Sequence, residues 1–123
     1  MRKLKVIVAA AFFAAPIWAG SAARANGPFD GAWSVSVITD SGTCDRGYRY
    51  AVHIANGRIF YNDPAVDVSG QVNPRGDIRV VVRTGGQEAV GTGRMSRDYG
   101  EGSWNGQSST SQCSGHWEAQ REG

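Results

Sequence analysis

The chain has 123 residues, of which 41% are hydrophobic and 20% are charged; 17 are glycine, and the formal net charge is +2. This length accommodates one small domain and excludes a two-domain enzyme, a doubly wound nucleotide-binding fold and a (β/α)₈ barrel. It is compatible with a compact all-β barrel or sandwich, which can close within about 100 residues.

The N-terminal segment has the pattern of a secretory signal peptide. Three basic residues precede an apolar run over 6–15, and small residues follow up to Ala25. A basic start, a short apolar stretch and an A-x-A site are typical of such peptides. A transmembrane anchor is the alternative, but it needs about 20 apolar residues, and Pro16 interrupts this run. We therefore predict a signal peptide over 1–25, cleaved near Ala25, and a single β-barrel domain over 26–123 that is periplasmic or secreted.

Cleavage would reverse the sign of the net charge. Four of the 13 basic residues precede the cleavage site, so 9 arginines and 11 acidic residues remain and the net charge becomes −2. A mildly acidic domain lacks the positive field that nucleic acids and anionic lipids require. We therefore expect no nucleic-acid partner, and no membrane span after signal cleavage.

Cys44 and Cys113 are the only cysteines. An even number in an exported chain predicts a disulfide, because that compartment is oxidising. Closing the loop between them would stabilise the fold by about 4 kcal/mol on the chain-entropy model. Two free thiols or a metal pair are the alternatives, although the sequence has neither a C-x-x-C motif nor a Cys–His cluster.

Beyond position 26, apolar and polar residues alternate with period two, which is typical of β-strands. Turn signals separate the alternating runs, among them Asn56-Gly57, the segment 73–76 (NPRG) and Gly85-Gly86. Asn-Gly between two such runs is a strong hairpin signal. The pattern predicts eight strands and a polar, Ser-rich, mobile loop over 106–112. The predicted strands lie at 33–37, 48–55, 58–61, 66–72, 78–83, 89–95, 100–104 and 113–119.

Eight short strands joined by tight turns form an antiparallel meander, which can remove its unpaired edges by closing on itself. We therefore predict an all-β fold, a small antiparallel eight-stranded up-and-down barrel whose last strand pairs with its first. A two-sheet β-sandwich is the second choice. Because Cys44 precedes the second strand and Cys113 opens the eighth, their disulfide would lie at one end of this seam.

The row of residues predicted to face inward carries no charge, and glycines concentrate in its last three strands. Glycine in a strand makes room for a bulky neighbour, here either aromatic rings of the opposite wall or a ligand. An eight-stranded barrel is just wide enough for a filled core or one small guest, and we favour the filled aromatic core. The candidate lumen or ligand-contacting residues are Trp33, Tyr48, Tyr50, Gly91, Gly93, Gly102, Trp104 and Trp117.

No combination of residues suggests catalysis. His53 and His116 fall on outward-facing rows, and no G-x-S-x-G motif or haem-attachment motif occurs. The acidic residues belong to turns and outer faces rather than to a cleft. We therefore expect a protein that is not an enzyme, with no metal site and no cofactor.

Outer-face arginines alternate with acids, which favours an ion-pair ladder over an anion-binding or partner-binding surface. These are Arg79, Arg83, Arg94 and Arg97 with Asp77, Glu88 and Asp98.

Three segments resemble motifs of a group of small exported bacterial proteins. They are 29–33 (FDGAW), 100–104 (GEGSW) and 113–119 (CSGHWEA). That group shares FDG-x-W-S-V and C-x-G-x-W motifs over nearly the whole mature chain. The resemblance implies export and the extent of the domain, and it implies no activity.

Gly31-Ala32-Trp33, with Arg121 beyond the last predicted strand, is also similar to the calycin signature of lipocalins, avidins and their relatives. There a G-x-W tryptophan closes one barrel end, and a basic residue from the final strand packs across its ring. The resemblance implies that Trp33 and Arg121 form a barrel-closing pair, with a cation–π contact of about 0.5–2 kcal/mol. The T-D-Y-x-x-Y motif and the biotin-binding run are missing, so the resemblance implies no ligand.

The sequence thus predicts an exported, non-enzymatic small β-barrel of unknown specific role, which would bind a small apolar ligand in its lumen if side chains do not fill that space. The alternative is a protein-binding module, such as a periplasmic protease inhibitor or an envelope interaction factor. A periplasmic barrel-type protease inhibitor is similar in size, disulfide and G-x-W start, although its inhibitory arm is not recognisable ahead of Gly31. Such a module would use the 106–112 loop and the arginine row.

Overall fold

Alternating apolar and polar side chains organise residues 27–122, the part of the chain that the computed structural model describes. The predicted signal peptide over 1–25 lies outside the described residues. The described part consists of eight strands: β1 (Gly31–Ser41), β2 (Gly47–Ala55), β3 (Arg58–Phe60), β4 (Asp67–Val72), β5 (Asp77–Thr84), β6 (Gln87–Met95), β7 (Tyr99–Gln107) and β8 (Gln112–Arg121).

The strands form a closed antiparallel barrel in which each strand pairs with the next along the chain. The ring closes because β8 pairs with β1, from Trp33 opposite Arg121 to Ser41 opposite Ser114. A β-bulge near Thr39 shifts the register between β1 and β8 close to the β1–β2 connection. The predicted eight-stranded up-and-down barrel is confirmed, and the alternative of a two-sheet sandwich is wrong. Closure leaves no sheet edge.

Tight turns connect the strands where glycine and asparagine allow them. Asn56 and Gly57 both have positive φ (54° and 78°), which a two-residue hairpin of type I′ requires. In the turn before β5, the side chain of Asn73 accepts hydrogen bonds from the N–H groups of Arg75 and Asp77. The predicted Ser-rich loop is shorter than expected, since β7 and β8 extend into it and leave only residues 108–111 as the connection.

Side-chain packing divides the barrel into two halves. The end that carries Gly27, Glu122 and the β2–β3, β4–β5 and β6–β7 turns is packed, and we call it the closed end. The opposite end carries the β1–β2, β3–β4, β5–β6 and β7–β8 connections, and we call it the open end. The core cluster lies towards the closed end and consists of Phe29, Trp33, Ile54, Ile59, Val72, Ile78, Met95, Trp117 and Ala119.

The barrel wall has the least regular strand pairing between β2 and β4. The intervening strand β3 has only three residues, and it pairs with β4 through one residue pair, Arg58 opposite Gln71. Residues 61–66 complete the wall above β3 without strand structure. A hydrogen bond from the Thr84 hydroxyl to the Ala65 carbonyl ties this segment to the end of β5.

A disulfide joins Cys44, in the β1–β2 connection, to Cys113 near the start of β8, with 6.1 Å between their Cα atoms. The predicted pairing is confirmed, and the alternatives of free thiols or a metal pair are wrong. The bond fastens the β8–β1 seam at the open end. It also indicates that the chain folds in an oxidising compartment.

Within residues 27–122, no helix has the length and apolar character needed to cross a membrane.

Candidate ligand-binding site

Trp33 forms the floor of the lumen at the closed end. Its side chain is 1% exposed, and its indole Nε1 donates a hydrogen bond to the carbonyl of Phe29 at 2.9 Å. Trp33 is the first inward-facing residue of β1 that lies deep enough for its side chain to reach across the barrel. A large ring with its polar atom bonded to backbone seals this end without an unpaired donor.

Arg121 covers the outer face of this floor. Its guanidinium carbon lies 4.8 Å from the centre of the Trp33 ring, the arrangement of a cation–π contact. The same group donates to the carbonyl oxygens of Asp30 (2.6 Å), Pro28 (3.0 Å) and Arg97 (2.8 Å). A planar group with several donors can bond these three carbonyls at once. Arg121 therefore ties the N-terminal segment and the β6–β7 turn to the last strand.

Above this floor the lumen is open. A cavity of about 430 Å³ extends from Trp33 to the open end. The expected filled aromatic core is therefore wrong, because the aromatic rings occupy only the lower part of the barrel. The upper wall consists of half-buried aliphatic side chains that face the cavity from β1, β2, β4, β5 and the residue before β4, namely Val35, Val37, Val52, Val66, Val68, Val80 and Val82.

The two tryptophans of β7 and β8 present ring surface to the cavity and direct their polar atoms elsewhere. The indole Nε1 of Trp104 donates to the carbonyl of Ile38 at 3.0 Å, and that of Trp117 donates to the carbonyl of Thr92 at 3.2 Å. Both indoles line the cavity. Because these donors are already bonded to backbone, the tryptophans offer a guest apolar contact rather than hydrogen bonds.

The glycines of β6 and β7 divide into two groups. Gly91 lines the cavity, and a Cβ placed on it would meet no atom closer than 3.6 Å. Gly93 and Gly102 lie instead beneath the Trp117 indole, where a Cβ would come within 2.6–2.7 Å of the ring. These two glycines therefore accommodate a ring from the adjacent strand β8, not one from the opposite wall. They lie outside the cavity lining.

Three tyrosines stand together near the mouth, and we call Tyr48, Tyr50 and Tyr61 the tyrosine cluster. The rings of Tyr48 and Tyr50 stack at 5.9 Å, and Tyr61 meets Tyr50 edge-on at 5.5 Å. Burial, followed by the proximity of Tyr61, raises the pKa of Tyr50. Burial and a hydrogen bond to Asp45 raise the pKa of Tyr48. The hydroxyls of Tyr48 and Tyr50 are thus protonated donors at neutral pH.

Tyr61 was not among the candidate lumen residues predicted from the sequence. It follows β3 by one residue and lines the cavity. The signal was available, since Tyr61 continues the inward row of Ile59 by one period of two. The Pro-containing segment that follows obscured it.

Charge is confined to the rim and the outer face. Glu88 is the one charged residue that lines the cavity, and its carboxylate lies 3.2 Å from the Arg83 guanidinium. On the outer face Arg94 lies 3.5 Å from Asp77, whereas Asp98 pairs with Arg121 at 3.7 Å. The Arg83–Glu88 and Arg94–Asp77 contacts belong to the ion-pair ladder favoured from the sequence, whereas Asp98 pairs with Arg121, which lies outside the predicted arginine row.

Both histidines lie on the outer surface of the barrel. His53 is exposed, and the Nδ1 atom of His116 lies 2.8 Å from the carboxylate of Asp40. The hydrogen bond to Asp40 raises the pKa of His116. Across residues 27–122, no three His, Cys, Asp or Glu side chains come together in a group that could hold a metal ion. The lumen therefore provides apolar contact and hydroxyl donors.

Comparison with known proteins adds no relative. No family model matches the chain, and neither a curated protein nor a solved structure matches it.

Proposed function

We propose that this protein is an exported, non-enzymatic barrel that binds a small apolar ligand in its lumen. The observation that carries the proposal is the cavity of about 430 Å³, which is open at one end and lined by aliphatic and aromatic side chains. Small-molecule sites are typically concave, largely apolar and about 300–1,000 Å³ in volume. Export is supported by the signal-peptide pattern of 1–25 and by the disulfide.

The size of the cavity limits the ligand. A water molecule occupies roughly 30 Å³ of liquid, so the cavity has the volume of about 14 water molecules, which a small organic compound can fill. The half-buried valines of the upper wall would lose their remaining contact with water when such a compound enters. Burying apolar surface in this way stabilises a complex by about 25 cal/mol per Å².

Binding of N-phenylnaphthylamine, a neutral apolar fluorophore, tests the proposal. Trp33, Trp104 and Trp117 line the cavity, so the bound probe should quench their emission in a saturable way. No change in emission at saturating probe would contradict the proposal. It would leave the alternative of a protein-binding module.

A matched pair of variants on β5 locates the probe. Val82 faces the cavity, whereas its neighbour Val81 belongs to the outward row. Val82→Phe should weaken probe binding by about tenfold or more because the added ring occupies the cavity, and Val81→Phe should stay within about twofold. Equal loss in both variants would place the probe outside the lumen.

A further inference from the structure

The lumen lacks a partner for an anion. Its lining contains neither lysine nor arginine, and the carboxylate of Glu88 at the rim is paired with Arg83. Burying an ionised carboxylate or sulfonate without a partner is strongly unfavourable. The net charge of the domain, −2, adds repulsion of the same sign. Because the Glu88 carboxylate is already paired, a cation would lack a partner among the described lining residues as well. A ligand that enters the lumen is therefore uncharged.

The two sides of the upper lumen differ in shape. The tyrosine cluster projects from β2 and from the residue after β3. The barrel has eight strands, so β6 lies opposite β2. There the inward row runs from Gln87 at the mouth to Ala89 and Gly91, and the last two leave the peptide backbone close to the cavity. The space between the two walls is bounded by aromatic rings on one side and by a flat strand on the other.

Two hydroxyl donors in this space, those of Tyr50 and Tyr61, have no protein partner among residues 27–122, and Tyr50 is the central ring of the cluster. The hydroxyl of Tyr48, in contrast, donates to Asp45 at 3.0 Å. Tyr50 is partly buried and lines the cavity between its two neighbours in the cluster. When a donor loses its hydrogen-bonded water on burial, a ligand acceptor that replaces that water stabilises the complex most.

We propose that the ligand is an uncharged, planar aromatic compound with a hydrogen-bond acceptor. It lies between the tyrosine cluster and the Ala89–Gly91 stretch of β6 and accepts a hydrogen bond from the Tyr50 hydroxyl. This inference rests on the proposed function and specifies its ligand class. Ring faces pair favourably with tyrosine rings in offset or edge-on contacts, and the flat strand admits a ring where side chains would exclude it.

Three naphthalene compounds of nearly equal size test this. Acetonaphthone is neutral and carries a carbonyl acceptor, ethylnaphthalene lacks the acceptor, and naphthoate is an anion. We expect acetonaphthone to bind about tenfold or more tightly than naphthoate, measured by tryptophan quenching or calorimetry. Tyr50→Phe should weaken acetonaphthone about three- to tenfold and leave ethylnaphthalene within about twofold.

Gly91→Val tests the flat wall. The site has room for a Cβ, so the barrel should still fold, and Gly91→Ala provides a smaller change if it does not. The valine side chain would project into the space that the ring occupies, and both neutral naphthalenes should bind about tenfold more weakly. Unchanged binding in Gly91→Val, with loss in Val82→Phe, would overturn the placement against β6.

The outcomes separate this inference from the proposed function. If decanol, a neutral aliphatic compound, binds and the naphthalenes do not, the apolar lumen site stands and the aromatic class is overturned. Naphthoate binding as tightly as acetonaphthone would overturn the exclusion of anions. Equal loss of both neutral naphthalenes in Tyr50→Phe would overturn the hydrogen bond. If no compound binds, both proposals fail.

Discussion

Replacing the Arg121 guanidinium should destabilise the closed end of the barrel. The side chain is 21% exposed, covers Trp33 and donates to three carbonyl oxygens. The cation–π contact contributes about 1 kcal/mol. A hydrogen bond from a charged donor contributes about 1.5–3 kcal/mol, but partial exposure lets water replace it and the values do not add. We expect Arg121→Met to lower the free energy of unfolding by about 3 kcal/mol.

Equilibrium unfolding in urea, followed by tryptophan emission, measures this loss. Arg121→Lys keeps the charge but replaces the planar fork with one ammonium group, so it should still lose about 2 kcal/mol. Arg79→Met is the matched control, because Arg79 is exposed on β5, and it should change stability by less than about 0.5 kcal/mol. If Arg121→Lys is as stable as the unmodified protein, charge alone suffices and the reasoning about the three carbonyls is refuted.

Three further predictions concern stability and titration. Replacing both cysteines with serine should lower the free energy of unfolding in urea by about 4 kcal/mol. Gly102→Ala should cost about 2–3 kcal/mol or more in the same assay, because its Cβ would clash with the backbone carbonyl of Thr92 and lie 2.7 Å from the Trp117 ring; Gly86→Ala, with no atom within 4 Å, should cost less than about 0.5 kcal/mol. Asp40→Asn should lower the His116 pKa measured by NMR. Because that pKa is raised by the Asp40 hydrogen bond, the pair's stabilisation is complete below the unfolded-state pKa and fades as pH rises through the folded-state pKa.

The period-two pattern was sufficient to predict the strands and their inward rows. Val35, Val80 and Val82 face the lumen because their neighbours in sequence are polar or lie on the outer row, and a one-residue slip would reverse every side chain. The turns followed from local chemistry as well, since Asn56 and Gly57 adopt the positive φ that their hairpin needs. These features depend on residues adjacent in sequence.

Whether side chains fill the lumen or leave it open depends on contacts that sequence spacing does not determine. The glycines of β6 and β7 indicated room for a bulky group, but not which strand supplies it. The structure places the Trp117 indole over Gly93 and Gly102, where its Nε1 reaches the carbonyl of Thr92 two strands away. Because that ring turns towards its own side of the barrel, it leaves the centre of the upper lumen open. The identity of the guest is a question of shape and charge in that space.

The packed core and the proposed binding site are located in different halves of this barrel. Trp33, Arg121 and the aliphatic core hold the closed end together through packing and hydrogen bonds. The open end contributes less packing, since its valines are only half-buried. The disulfide lies at this end and fastens the β8–β1 seam without filling the lumen. A cross-link stabilises the fold chiefly by restricting the unfolded chain, so it requires no side-chain volume inside the barrel. The fold can therefore keep the upper lumen open for a guest.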